Sequence, residues 1–80
     1  MILIKEDTPK KLPGITSLFI SFDYNKLIVD SLKCCTVFNY DKNSKVWEVP
    51  ITDLAYLLDT LTYIDDIKLE IKKDKKIKND

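Results

Sequence analysis

The chain has 80 residues, the length of one small domain, and its 45% hydrophobic and 32% charged residues are typical of a globular protein. Thirteen lysines and no arginines balance thirteen acidic residues to a net charge of zero. The chain has no histidine and a single glycine. It therefore lacks the residues for an imidazole-based nucleophile and for a glycine-rich phosphate loop. The composition predicts no enzyme and no cofactor.

Residues 1–14 are expected to form an N-terminal arm. Its apolar start, Met1 to Ile4, adds an edge strand in this prediction, and Pro13-Gly14 marks a turn. Residues 15–22 then alternate between apolar and polar positions, which predicts a strand with one buried face. Phe19 lies on the opposite face of that strand.

A helix should follow, because the apolar period changes after Phe22. Asp23 is placed to cap it, and it should end near Cys34. Its expected apolar stripe consists of Tyr24, Leu27, Ile28, Leu32 and Cys35.

The next segment is typical of a β-hairpin. Residues 37–40 and 46–49 form its arms, and the polar residues 41–44 form its loop. If Tyr40 faces Lys45 across the hairpin, Phe38 faces Trp47 as an aromatic pair. Trp47 is predicted to be a core residue. Glu48, on the other face, is predicted to lie on an open sheet surface.

A second helix and a last strand complete the pattern. Thr52 is the expected N-cap, with Asp53 in the first turn. Leucines 54, 57, 58 and 61 form the apolar stripe. Residues 66–72 alternate with Ile67, Leu69 and Ile71 inward. Residues 73–80 are charged and are predicted to be a tail or linker.

The order strand, helix, strand, strand, helix, strand predicts an α+β fold. We expect residues 15–72 to form one domain with a mainly antiparallel four-stranded sheet and both helices on one face. This is the ferredoxin-like split arrangement, βαββαβ. The other sheet face would remain open.

Three groups of residues could contact nucleic acid. Phe19 could stack a base, unless it packs beneath the N-terminal arm against Ile2 or Ile4. The hairpin-loop lysines could contact phosphates, as could the tail lysines, although such lysines are also common solvated residues. The candidates are Phe19, Lys42, Lys45, Lys72, Lys73, Lys75 and Lys76.

Cys34 and Cys35 are adjacent, so they cannot join distant segments by a disulfide. Without histidine or further cysteines they also lack the remaining ligands of a zinc site. We expect two reduced thiols and no bound metal. The sequence has no signal peptide and no apolar run near the ~20 residues of a membrane span, which predicts a cytoplasmic protein with no membrane contact.

Two stretches carry a family resemblance. They are Phe22-Asp23-Tyr24-Asn25 and the hairpin Tyr40-Asp41-Lys42-Asn43-Ser44-Lys45-Val46-Trp47-Glu48-Val49-Pro50. Together they resemble the HARP-like accessory domains of phage and bacterial Swi/Snf-type DNA helicases over about residues 17–71.

The resemblance implies a non-catalytic DNA-binding domain that helps a neighbouring helicase motor to engage branched or partly single-stranded DNA. It implies a structural role for Trp47 and weak DNA contacts at Lys42 and Lys45. The chain departs from the family where Val37-Phe38-Asn39 replace a glycine and basic residues, and where Lys42 replaces a proline.

A second hypothesis follows from the zero net charge and the absence of arginine. The chain could be a small phage-type interaction module that docks on a host protein through its sheet face or sheet edge.

Overall fold

The computed structural model describes residues 1–71, so the end of the last predicted strand at Lys72 and the predicted tail 73–80 lie outside the described residues. Two helices and five strands follow one another along the chain. They are β1 (Ile2–Asp7), β2 (Ser17–Ser21), α1 (Lys26–Leu32), β3 (Asn39–Asp41), β4 (Val46–Pro50), α2 (Leu54–Leu61) and β5 (Ile67–Glu70). A single 3-10 turn, Ile51–Asp53, leads into α2.

The strands form one mixed sheet with the order β3-β4-β2-β1-β5. The pair β1–β5 is parallel, and the other three pairs are antiparallel. The α+β class and the mainly antiparallel pairing are confirmed, but the sheet has five strands instead of four because the N-terminal segment adds one. The N-terminal strand is not at an edge: β1 lies between β2 and β5, the first and last strands of the predicted βαββαβ order.

The central position of β1 follows from its side chains. Ile2 and Ile4 are fully buried on the helix side, and Leu3 between them is half-buried on the other side. A strand with apolar residues on both faces is favoured inside a sheet. The predicted edge position was therefore wrong, because it rested on the short apolar run at Met1 to Ile4 and not on which face each residue would occupy.

Both helices cover the same sheet face, as expected. Their buried residues share a single core with the inward residues of the sheet, so one layer of helices closes it. This core contains Ile2, Ile4, Leu18, Ile20, Ile28, Leu32, Cys35, Trp47, Val49, Leu57 and Leu61.

Helix α1 begins later than predicted. Asn25, not Asp23, is the N-cap, and its side-chain oxygen accepts a hydrogen bond of 2.9 Å from the Leu27 backbone N–H. The helix has only seven residues, so it covers little of the sheet. Tyr24 lies before the helix, and Leu27 lies outside its buried face, which contains Ile28 and Leu32. These two residues, both predicted to be inward, are 81% and 63% exposed.

The hairpin register is shifted by two residues from the prediction. Tyr40 lies opposite Trp47, so both remain on the expected sheet face. Strand β3 begins at Asn39, which leaves Val37 and Phe38 outside it.

The start of α2 also differs from the prediction. Thr52 makes no capping hydrogen bond, because the 3-10 turn occupies that position. The Asp53 carboxylate instead accepts hydrogen bonds from the backbone N–H and the hydroxyl of Thr36, both at 3.2 Å. These bonds join the start of α2 to the segment between α1 and β3.

Candidate nucleic-acid interface

A large concave surface lies at the β3 end of the sheet, beside α1. It has a volume of about 630 Å³, within the range of ligand sites in proteins. We call it the aromatic groove. Its lining consists of Phe22, Asp23, Tyr24, Val29, Lys33, Phe38, Tyr40, Lys45 and Trp47. Five of the chain's eight aromatic residues therefore meet at one surface.

The floor of the groove is a cluster of three rings. The Tyr40 ring lies 4.9 Å from the Trp47 ring, and the Phe38 ring lies 5.8 Å from it on centroid distances. Both spacings fall within the range of favourable aromatic pairs. Trp47 is only 7% exposed, as predicted, whereas Tyr40 and Phe38 are each 42% exposed. The partly exposed rings are held in place by the buried one.

One wall of the groove comes from the connection between β2 and α1. The segment leaves the sheet at Phe22 and turns at Asn25 to begin the helix. The turn leaves Tyr24 outside the core, where its ring is accessible to solvent. A hydrophobic or aromatic ligand could contact this ring without any change in the core.

Lys45 supplies a positive charge to the opposite wall. Its φ of 59° lies in the left-handed region, which lysine rarely adopts. The hairpin imposes this conformation: the Lys45 backbone N–H donates a 2.7 Å hydrogen bond to the Asp41 carbonyl, closing the four-residue loop. The Asp41 carboxylate accepts a bond from the Asn43 backbone N–H, and this bond, aided by Ser44, lowers the pKa of Asp41.

The charges of the groove favour an anionic ligand. Lys33 at the end of α1 and Lys45 in the hairpin loop are both exposed, and Asp23 is the one acidic residue among the described residues that line the groove. Aromatic rings that stack bases, combined with lysines that contact phosphates, are the elements from which single-strand binding surfaces are built. The arrangement has the chemistry to hold unpaired nucleotides.

The opposite sheet face is not open as predicted, because the segment between β1 and β2 folds across it. Glu48 is the anchor and is only 3% exposed. Its carboxylate accepts hydrogen bonds from the backbone N–H groups of Lys10, Lys11 and Leu12, at 2.9, 3.0 and 3.4 Å. Burial alone would raise the pKa of Glu48, but these bonds and the neighbouring Ser17 hydroxyl hold the pKa below its usual value.

Phe19 lies beneath this segment and is half-buried. The Lys10 ammonium is 6.0 Å from the centre of its ring, at the limit of a cation–π contact. The predicted cover by the N-terminal arm is therefore present, but the predicted contact with Ile2 or Ile4 is wrong, since both are on the opposite face. Phe19 does not line the aromatic groove.

The structure separates the lysines that the sequence grouped together. Lys45 lines the groove, whereas Lys42 is exposed in the same loop and does not. Lys72, Lys73, Lys75 and Lys76 lie outside the described residues. Tyr24, Phe38 and Lys33 line the groove but were not predicted as site residues. The sequence feature that could have indicated them is the number of aromatic residues on both sides of a short helix, which cannot cover them all.

The two cysteines differ in environment. Cys34 is exposed, and Cys35 is buried in the core at the end of α1. Burial raises the pKa of the Cys35 thiol to about 11. Within residues 1–71, no group of three or more histidine, cysteine or acidic residues is arranged to hold a metal.

Comparisons with known proteins return no matching family model, no matching curated protein and no matching solved structure. Among the described residues, no helix has the length and apolar character needed to cross a membrane.

Proposed function

We propose that this chain is a non-catalytic DNA-binding domain whose aromatic groove holds the unpaired bases of single-stranded or branched DNA. The observation that supports it is the meeting of five aromatic rings and two lysines at one accessible surface. Base stacking on such rings contributes about 1–3 kcal/mol per base and does not depend on sequence. The paired lysines would contact the flanking phosphates.

The zero net charge limits the strength of this binding. Lysine is a point charge and lacks the planar fork that arginine uses for bidentate contacts. We expect weak, sequence-independent binding that prefers single strands to duplex DNA, because a duplex does not offer its base faces. A basic net charge is not required where stacking supplies part of the affinity.

The role in the cell that we propose is that of an accessory domain beside a Swi/Snf-type helicase motor, as the hairpin resemblance implies. The catalytic step would belong to the motor. In this role the domain would favour engagement of partly unpaired DNA. A matched test is the activity of such a motor on forked DNA with and without this domain.

The groove itself is tested by a fluorescence titration. Trp47 is the only tryptophan, and it lines the groove, so stacked bases should quench its emission. Labelled single-stranded, duplex and forked DNA are compared at two salt concentrations. Tyr24→Ala should weaken binding roughly tenfold, the loss expected for one stacked base. Tyr63→Ala is the control, because Tyr63 is 91% exposed and does not line the groove.

A second pair of variants tests the phosphate contact. Lys45→Glu should weaken DNA binding. It should also make the fall of log affinity with log salt less steep, by about 0.7 in the slope, the value for one phosphate contact to a single strand. Lys42→Glu, in the same exposed loop, should change the slope much less. No binding by the wild type at low salt, or equal effects of the two variants, would overturn the assignment of the groove.

One observation favours a different function. The apolar surface of the groove is accessible. Such a surface can also bind a protein partner, for example an extended or helical segment of a host protein. Absent DNA binding in the titration above would leave this interaction-module function as the better one.

A further inference from the structure

Among the described residues, no strand pairs with the outer edge of β5, and the backbone groups at this edge follow from its pairing with β1. The Ile2 N–H donates a 2.7 Å hydrogen bond to the Asp66 carbonyl. In a parallel pair, alternate residues direct both backbone groups to the neighbour, so Lys68 and Glu70 also face β1. Ile67 and Leu69 therefore direct their N–H and C=O groups away from the sheet, and no described strand pairs with them there.

The side chains of this edge form two rows. Ile67 and Leu69 lie opposite Ile2 and Ile4, on the helix side of the sheet. Continuing the alternation puts Ile71 in the same row. Ile67 packs against the core, whereas Leu69 is 39% exposed and Ile71 is 46% exposed, so the helices leave these last two residues of the apolar row partly uncovered. An edge strand that presents unpaired backbone groups and exposed apolar side chains is a template for pairing with another strand.

The charged row is complementary to itself. Lys68 and Glu70 lie on the other face, with side chains 60% and 42% exposed. In an antiparallel pair of two copies centred on Leu69, Lys68 of each copy lies opposite Glu70 of the other. The apolar row then matches Leu69 with Leu69 and Ile67 with Ile71. We propose that β5 pairs in this way with β5 of a second copy of the chain, joining two sheets into one of ten strands.

The backbone supports the same register. In an antiparallel pair centred on Leu69, the residues that must exchange hydrogen bonds are those whose groups face outward, Leu69 with itself and Ile67 with Ile71. Lys68 and Glu70 fall at the non-hydrogen-bonded positions, where opposite side chains come closest. Backbone direction and side-chain charge therefore select the same alignment.

Neighbouring registers are disfavoured. A shift of two residues keeps the backbone bonds but centres the pair on Lys68 or on Glu70. Either shift places like charges directly opposite each other, which destabilises a strand pair. A shift of one residue puts the apolar row of one copy against the charged row of the other. Only the register centred on Leu69 meets all three requirements.

The charges select the register more than they strengthen the dimer. Glu70 also lies 3.6 Å from Lys68 and 3.9 Å from Lys5 within the chain, and exposed ion pairs contribute little energy. The backbone hydrogen bonds and the apolar row supply the attraction. The contact is smaller than a standard interface, so the dimer should be weak and its formation should depend on concentration.

The proposal is independent of DNA binding, because β5 and the β3 edge beside the aromatic groove are at opposite ends of the sheet. Sedimentation velocity from about 1 μM to about 1 mM covers the affinities of small interfaces. The wild type should shift from monomer to dimer within this range. A wild type that remains monomeric throughout overturns the proposal.

Charge reversal tests the register. Lys68→Glu and Glu70→Lys each place like charges opposite one another twice, and each should raise the dissociation constant about tenfold. The double reversal restores opposite charges across the interface and should return the constant near that of the wild type. Lys42→Glu at the other end of the sheet is the control. A double variant as weak as the single variants contradicts this register, and circular dichroism confirms that each variant is folded.

Amide exchange tests the location independently. The Leu69 N–H faces outward and should exchange more slowly as the concentration of the chain rises. The Lys68 N–H already faces β1 and should change much less. A dimer that leaves Leu69 exchange unchanged would use another surface, and the β5 assignment would be wrong.

Discussion

At the scale of single residues, Trp47 belongs both to the core and to the aromatic groove. It is almost fully buried, belongs to the same core as Leu57, and supports the rings of Phe38 and Tyr40. We expect its ring to contact the leucines of α2 that belong to or pack against the same core. Trp47→Ala removes the largest side chain of the core and leaves a cavity.

We expect Trp47→Ala to lower the free energy of unfolding by about 3–5 kcal/mol, enough to unfold so small a domain. Urea denaturation followed by circular dichroism measures this. Tyr63→Ala, which changes an exposed ring outside the core, should leave the midpoint unchanged. A Trp47→Ala variant as stable as the wild type would show that the ring serves the groove and not the core.

At Lys45, backbone strain lowers stability while the side chain supplies a charge to the groove. Its left-handed backbone is unfavourable for most residues and favourable for glycine. Lys45→Gly should raise the free energy of unfolding by about 1 kcal/mol while weakening DNA binding. Lys42→Gly is the control: its φ is not positive, so glycine should bring no gain there. If Lys45→Gly binds DNA as tightly as the wild type, the strained lysine has no role in binding.

At the scale of elements, Glu48 joins β4 to the segment between β1 and β2. Its pKa is lowered in the folded chain, so its contribution to stability is present above its unfolded pKa of 4.5 and is lost as the pH falls through the lower, folded value. Glu48→Gln keeps the shape but removes the charge. At neutral pH this should cost about 1–3 kcal/mol, the value of hydrogen bonds to a charged group.

The pH dependence of stability tests the role of the Glu48 charge. Below pH 4.5 the free energy of unfolding of the wild type should fall, while that of Glu48→Gln should change less. The difference in stability between the two should therefore become smaller. Thermal melts at neutral and acidic pH measure the difference in stability, with Asp59→Asn as a control because Asp59 is an exposed residue of α2. A difference that is independent of pH would mean that the carboxylate charge is not what holds the segment.

The end of α1 separates the two thiols. Cys34 is exposed, and the buried Cys35 has its pKa raised to about 11, so almost none of its reactive thiolate exists near neutral pH. A maleimide should modify one thiol per folded chain quickly, at Cys34, and Cys35 only on unfolding. Mass spectrometry of Cys34→Ser should show almost no rapid modification. Equal rates at both sites would contradict the burial of Cys35.

At the scale of the whole molecule, local patterns gave most of the elements. The alternation around Leu18 and Ile20, the turn residues of the hairpin and the leucine stripe of α2 are all short-range signals. The parallel contact between β1 and β5 is not, because it joins segments from opposite ends of the described chain with no turn between them. The groove depends on the same long-range packing, so Tyr24 and Phe38 could not be assigned to it from periodicity.

The insertion of β1 has a direct test. It makes five register pairs with β2 and four with β5, and it supplies two fully buried isoleucines to the core. A chain lacking residues 1–7 would leave β5 without its only described partner strand. We expect that chain to lose cooperative thermal unfolding, measured by circular dichroism, because β5 would keep no hydrogen-bonded partner strand among those described.

Two substitutions within β1 separate loss of the core from loss of chain length. Ile4→Ser places a hydroxyl in the fully buried position opposite Ile20 and Leu69, and it should be severely destabilising. Lys5→Ser changes the adjacent exposed residue of the same strand and should have little effect. The central role of β1 would be contradicted if the truncated chain unfolded at the same temperature as the full chain and Ile4→Ser did not lower stability. In that case the fold would not depend on β1.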